Sequence, residues 1–168
     1  MGQQKPGKPD GSGEAFWRFS LALYARPGVA EALIGLQDRA GREVNLVLFA
    51  LWLAARGHRL DHVELAAAET AIAPIARDTI GPLRQLRRGL RSAPDNDLQD
   101  LRRRVLGLEL AAERHGQHRL AATISALPSS GDRGEAAEAN LVLCLGSEAQ
   151  SPEAAILRRA LTALTRRG

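Results

Sequence analysis

Arg84, Arg87, Arg88 and Arg91 fall at i, i+3, i+4 and i+7. On a helix this spacing gathers four guanidiniums on an arc of about 100°, turned away from Leu83, Leu86 and Leu90. Arg102, Arg103 and Arg104 follow after a turn. The segment 84–104 holds seven arginines and three aspartates, a net of +4 that equals the formal charge of the whole chain. The planar fork of arginine suits carboxylates and phosphates. One reading of Arg84, Arg87, Arg88, Arg91, Arg102 and Arg103 is therefore a surface for an acidic or anionic partner, in the first place a protein. The other is a solvated helix face that pairs with local acids. Nucleic acid fits less well. The calculated pI of 10.2 matches its electrostatic footprint, but no aromatic lies in the segment to stack on a base. No helix-turn-helix or zinc-finger spacing is present either.

A second constellation lies just beyond. At about 100° per residue, Leu98, Leu101, Val105, Leu106, Leu108 and Leu110 cover an arc of about 200°, and Arg102, Glu109 and Glu113 fall inside it. A charge within an apolar face needs a partner. Val105, Leu106, Ala112 and Glu113 lie one turn from Glu109 and none is basic, so its partner must come from another helix. Two similar segments, Glu43–Leu48 and Glu138–Leu143, each place an amide, Asn45 or Asn140, among apolar residues. Each amide needs hydrogen-bond partners. Contact between the two is one expectation, and coincidence in a Leu-rich chain is the other. Asn45, Arg102, Glu109, Glu113 and Asn140 together read either as a polar pocket in a ligand-binding bundle or enzyme, or as a structural ion pair where two apolar seams meet.

Other chemistry is poorly represented. His58 and His62, and His115 and His118, form no His-Glu-x-x-His or paired Glu-x-x-His pattern, so surface histidines are expected. Cys144 is the only cysteine, which excludes a disulfide framework, and its apolar neighbours suit an inert core thiol. No nucleophile elbow or phosphate loop occurs. No catalytic residue, metal site or cofactor is expected. The leading reading is a non-enzymatic interaction module, with the buried pocket as its alternative.

The elements that position these residues are helical. Ala, Leu, Arg and Glu dominate, and β-branched residues are few. A helix is expected from about Glu14 to Ala25, and a second with Pro27 at its first position, ended by Gly41. Residues 42–56 are apolar nearly all round and should form a central helix stopped by Gly57. Asp61 and Glu64 form a capping box, and the helix they open should kink or end at Pro74. Gly81-Pro82 restarts a helix to about Ser92. The turn Ala93–Asn96 leads to a long helix over 97–115, broken or bent at Gly116 and continued over 117–127. A loop over 128–134, a helix over 135–146 capped by Asp132, and a last helix opened by Ser151-Pro152-Glu153 complete the pattern. The expectation is an all-α, compact single-domain bundle of about eight short to medium helices, with no sheet.

The chain has 168 residues, 45% hydrophobic and 4% aromatic. That suits one folded domain over 14–168 rather than disorder. All six aromatics lie between Phe16 and Trp52. Residues 1–13 are polar and rich in Gly and Pro, so a disordered tail rather than a signal peptide is expected. Met1-Gly2 begins like a myristoylation site, but Pro6 stands where Ser or Thr is wanted. The longest apolar run, Val44 to Ala55, is too short to span a bilayer.

The runs Phe16-Trp17-Arg18-Phe19-Ser20-Leu21, Leu36-Gln37-Asp38 and Val44–Ala54 resemble a family of small uncharacterised proteobacterial proteins, about 160 residues long, known only as a domain of unknown function. The likeness is strongest over 14–57, with weaker support at Glu109–Arg114 and Asn140-Leu141. It implies a bacterial cytoplasmic protein and no catalytic residue.

Overall fold

The helices begin largely where the sequence places their caps. The computed structural model describes residues 11–124 and 131–166. The elements are α1 (Gly11–Tyr24), α2 (Val29–Ala40), α3 (Val44–Ala54), α4 (His62–Ile75), a π-helical turn (Ala76–Ile80), α5 (Gly81–Gly89), α6 (Asn96–Ala121), α7 (Arg133–Leu145), a 3-10 turn (Gly146–Gln150) and α8 (Pro152–Thr165). No strand occurs among the described residues, and the architecture is an all-α bundle. Asp61 accepts from the Glu64 backbone N–H at 2.8 Å while the Glu64 carboxylate accepts from the Asp61 N–H at 3.1 Å, so the expected capping box forms. Asp95, Asp132 and Ser151 cap α6, α7 and α8 in the same side-chain-to-backbone manner.

Several boundaries differ from expectation, among them the ends of α5 at Gly89 rather than Ser92 and of α6 at Ala121 rather than 127. Helix α1 starts at Gly11, so the last residues of the supposed tail are helical, and 1–10 lie outside the described residues. Helix α2 starts at Val29 rather than Pro27, because Gly28 enters it with φ 79°, a left-handed conformation that glycine tolerates. Pro74 is the penultimate residue of α4, so the α-helix ends there, but the helical path does not. The chain runs on through the π-helical turn into α5, and the Gly81 N–H reaches back to the Ala76 carbonyl. Pro82, next along, has no N–H to offer the preceding turn, and the widened turn lies just before it. Finally, Gly116 does not break α6. A Cβ at that position would lie 2.6 Å from Ile72 Cδ1, so the missing side chain admits α4 rather than ending a helix. Of the expected 128–134 loop, 128–130 lie outside the described residues, and α7 begins at Arg133.

Helix α3 is the axis, buried from Val44 to Ala54 except at Leu46. Phe16 of α1 stacks on Trp52 at 5.0 Å between ring centres, and Phe49 tilts against both at 5.7 and 6.0 Å. The Arg56 guanidinium covers the Trp52 ring at 4.3 Å. The Trp52 indole N–H is buried without a hydrogen-bond partner among the described residues. Helix α7 packs along α3, and Arg42 donates to the Cys144 and Leu145 carbonyls at its end.

The other end is built differently. Helix α5 buries no residue and packs on α6 and the π-helical turn. Over its first fifteen residues α6 buries only Val105 and Glu109. The apolar arc read from α6 is thus largely uncovered: Leu98, Leu101, Leu106, Leu108 and Leu110 are 38–59% exposed. Helix α5 and this half of α6 form an arm beside the bundle.

Candidate functional site

Between the arm and the bundle lies a cavity of about 680 Å³. Helix α1 supplies Trp17, Ser20, Leu21 and Tyr24 to its wall. Helix α2 supplies Ile34, Gln37 and Asp38, and α3 supplies Val44, Asn45 and Leu48. Arg84, Arg87, Arg88, Arg91 and Ser92 come from α5 and the turn after it, facing Leu106, Glu109, Leu110, Glu113 and Gln117 of α6. Its size lies within the range of about 300–1,000 Å³ usual for small-molecule sites.

The two constellations read separately from the sequence meet here. Glu109 is buried, and its partners come from another helix. Arg84 Nε donates to Glu109 Oε1 at 3.1 Å and Arg84 Nη2 to Glu113 Oε1 at 2.9 Å. Arg87 Nε donates to Glu109 Oε2 at 2.5 Å and Arg87 Nη2 to Oε1 at 3.2 Å, a two-pronged fork on one carboxylate. Arg88 reaches across to Asp38 of α2 at 3.0 Å and links the arm to the bundle. Arg84 and Arg87 therefore do not form an open, unpaired arginine face, their side chains being 15% and 20% exposed. Their arc points toward α6, because the buried carboxylates sit there. Three carboxylates from outside the segment 84–104 neutralise three of its four excess charges.

Burial pushes Glu109 up, but the hydrogen bonds and charges of Arg87 and Arg84 outweigh it and hold the carboxyl below its ordinary value. Glu113 goes the other way. Burial raises it, the Glu109 charge adds to the rise, and the contact with Arg84 opposes it. Burial, with Glu113 second, also raises Tyr24. The two acids, one turn apart on α6, are thus shifted in opposite directions.

Behind the ion pairs runs a closed polar chain. Ser20 Oγ donates to Gln117 Oε1 at 3.0 Å, Gln117 Nε2 to Asn45 Oδ1 at 3.0 Å, and Asn45 Nδ2 to Glu43 Oε1 at 3.1 Å. Ser20 and Gln117 were not singled out in the sequence. The one available signal was that Ser20 lies four residues after Phe16 and three before Leu23, on the apolar face of α1.

Asn140 and Arg102 do not join this cluster. Asn140 is buried elsewhere, accepting from the Leu60 N–H at 2.8 Å and donating to the carbonyls of Ala50 and His58 at 3.0 Å each. It ties the α3–α4 connection to α7, and it shares no hydrogen bond with Asn45. The two matching segments thus place their amides in unlike surroundings. Arg102 lies outside the cavity, with its Nε buried and unpartnered among the described residues. Arg103 pairs with Asp100 on the exposed side of α6. His58 is held by Glu64 at 2.9 Å rather than standing free on the surface, and burial pushes the Cys144 thiol up to about 12. No group of three or more His, Cys, Asp and Glu positioned to hold a metal ion occurs among the described residues. Among them, too, no helix is long and apolar enough to cross a membrane.

Fold and site define an all-α bundle with a charged cavity between an arm and its core. The chain belongs to the family described as a protein of unknown function, DUF2390, whose model matches residues 15–120. The matched segment includes Glu109–Arg114 and ends before Asn140, and every residue lining the cavity falls within it. No curated protein and no solved structure matches the chain.

Proposed function

We propose that this protein binds a small ligand in the cavity between α1, α3, α5 and α6. The observation that carries the reading is Glu109, buried and held by two arginines beside an open volume of about 680 Å³ rather than inside a filled core. A buried ion pair is a poor source of net stability compared with well-packed apolar residues. Its place at the wall of a cavity that joins apolar surface from Trp17, Tyr24, Leu48 and Leu110 to fixed polar groups is the arrangement of a ligand site. A docking surface for an acidic protein is less well supported, because Arg84, Arg87, Arg88 and Arg103 are already engaged by carboxylates of the same chain.

A fragment collection screened by ligand-observed NMR tests the proposal, with Leu110→Trp as a cavity-filling variant at a position 41% exposed. Fragments that bind the full chain and lose binding in the variant support it. Fragments that bind both proteins alike, or a screen without binders, would overturn it.

A further inference from the structure

We infer that the cavity takes an amphipathic anion, a single carboxylate or phosphate head on an aliphatic or aromatic body, with the head at the arginines of α5. The inference rests on the cavity reading and follows from which polar groups there remain unused. Each guanidinium carries five N–H donors and no acceptor. Arg84 gives two to Glu109 and Glu113, and Arg87 gives two to Glu109, so each retains three. Arg91 makes no hydrogen bond or ion pair among the described residues and retains all five.

The carboxylate acceptors are nearly exhausted, while Tyr24, Gln37 and Ser92 can donate as well as accept. Both oxygens of Glu109 are occupied, and the amides of Gln117 and Asn45 are closed into the chain that ends on Glu43. Only Glu113 keeps a carboxylate oxygen outside these bonds. Four arginines against Asp38, Glu109 and Glu113 leave the lining with one excess positive charge. A ligand that completes this site must bring acceptors and negative charge. Its remainder meets Trp17, Leu21, Tyr24 and Leu48 on the opposite wall, which offer apolar surface. A free phosphate or acetate would leave that wall uncovered, and a neutral hydrocarbon would leave the donors unmatched.

Three ten-carbon probes separate the possibilities: decanoate, decan-1-ol and decyltrimethylammonium, each kept below its aggregation concentration. They are titrated into the full chain at neutral pH and followed by tryptophan fluorescence, to which Trp17 contributes from the cavity wall, and by calorimetry. Acetate supplies the head without the body. Decanoate is expected to bind at least about tenfold more tightly than the other two, the worth of one charge-assisted hydrogen bond, and acetate not at all. Arg91→Ala, at an exposed side chain with no partner to strand, is expected to weaken decanoate about tenfold and to leave decanol unchanged. Decanol binding as tightly as decanoate would overturn the anionic head and leave the cavity reading standing. Preference for the cationic probe would overturn it and move the head site to Glu113 and Asp38. Failure of all three probes would overturn the amphiphile while fragments still bind, and both readings together if the fragments fail as well.

Discussion

Around Phe16, Phe49 and Trp52, α1 and α3 meet through three rings within 6.0 Å of one another, with no side-chain exposure at any of them. Across the cavity, α5 meets α6 through two guanidiniums and two carboxylates and buries no residue of its own. The first contact removes apolar surface from water and is indifferent to ionic strength. The second depends on partly screened charges whose desolvation opposes their attraction. Within one domain, the aromatic end is built for stability, whereas the arm is held by interactions that a change of charge, salt or ligand can alter. Ligand sites are drawn from such regions of lower local stability.

The contrast can be broken most severely at the aromatic end. Trp52→Ala is expected to destabilise the whole domain by about 3–5 kcal/mol in equilibrium denaturation, since the cavity it leaves is surrounded by fully buried side chains. Glu109→Ala strands Arg84 and Arg87 and is expected to cost about 3 kcal/mol. Hydrogen exchange should place that loss in α5 and the first half of α6, with α3 amides still protected. Equal loss of protection along α3 would show that arm and core are one cooperative unit. Asn140→Ala leaves the Leu60 N–H without its acceptor and should cost about 1–3 kcal/mol at the core end, measured as a shift in denaturation midpoint.

Acid acts on the two glutamates of the arm with opposite sign. Glu109 is held below its ordinary value of 4.5, so its stabilisation is complete above that pH and is lost as pH falls through the lower folded value. Glu113 is raised above 4.5, so its contribution is complete below that pH and is lost as pH rises through the folded value. Glu113→Gln removes only the second component. The stability of the variant relative to the parent protein should therefore increase as pH rises from the acid side of 4.5 toward neutrality, and a flat difference would contradict the raised value. The smallest effect belongs to Arg91→Ala, expected to change stability by no more than about 0.5 kcal/mol, because the side chain is exposed and has no hydrogen bond or ion pair to lose among the described residues.

Much of the helical pattern was legible because caps and stops are local. Asp61 and Glu64 are three residues apart, and Asp132 and Ser151 sit next to the helices they open. The site was half legible. The arc of Arg84, Arg87, Arg88 and Arg91 and the lone charge of Glu109 could both be read, as could the need for a partner on another helix. That each answers the other depends on the turn that folds α5 back on α6, at separations of 22 to 29 residues where periodicity carries no information. Whether Gly116 breaks α6 was not legible, because glycine weakens a helix by backbone freedom yet also lets two helices approach, and only the presence of Ile72 opposite decides between them. The leucines of α6 promised a buried face, but α5 packs on that half without covering them.

The π-helical turn at Ala76–Ile80 sets an angular phase. A π turn holds about one residue more than an α turn, and each residue advances a helix by about 100°. The five residues before Gly81 therefore fix the azimuth at which every later side chain of α5 leaves the axis. Without the extra residue, Arg84 and Arg87 would swing about a quarter-turn away from Glu109 while the arm kept its length and sequence. A single-residue insertion or deletion upstream is thus a different kind of lesion from a substitution in the site: it would leave every charged group in place along the chain and rotate the donors out of the cavity together.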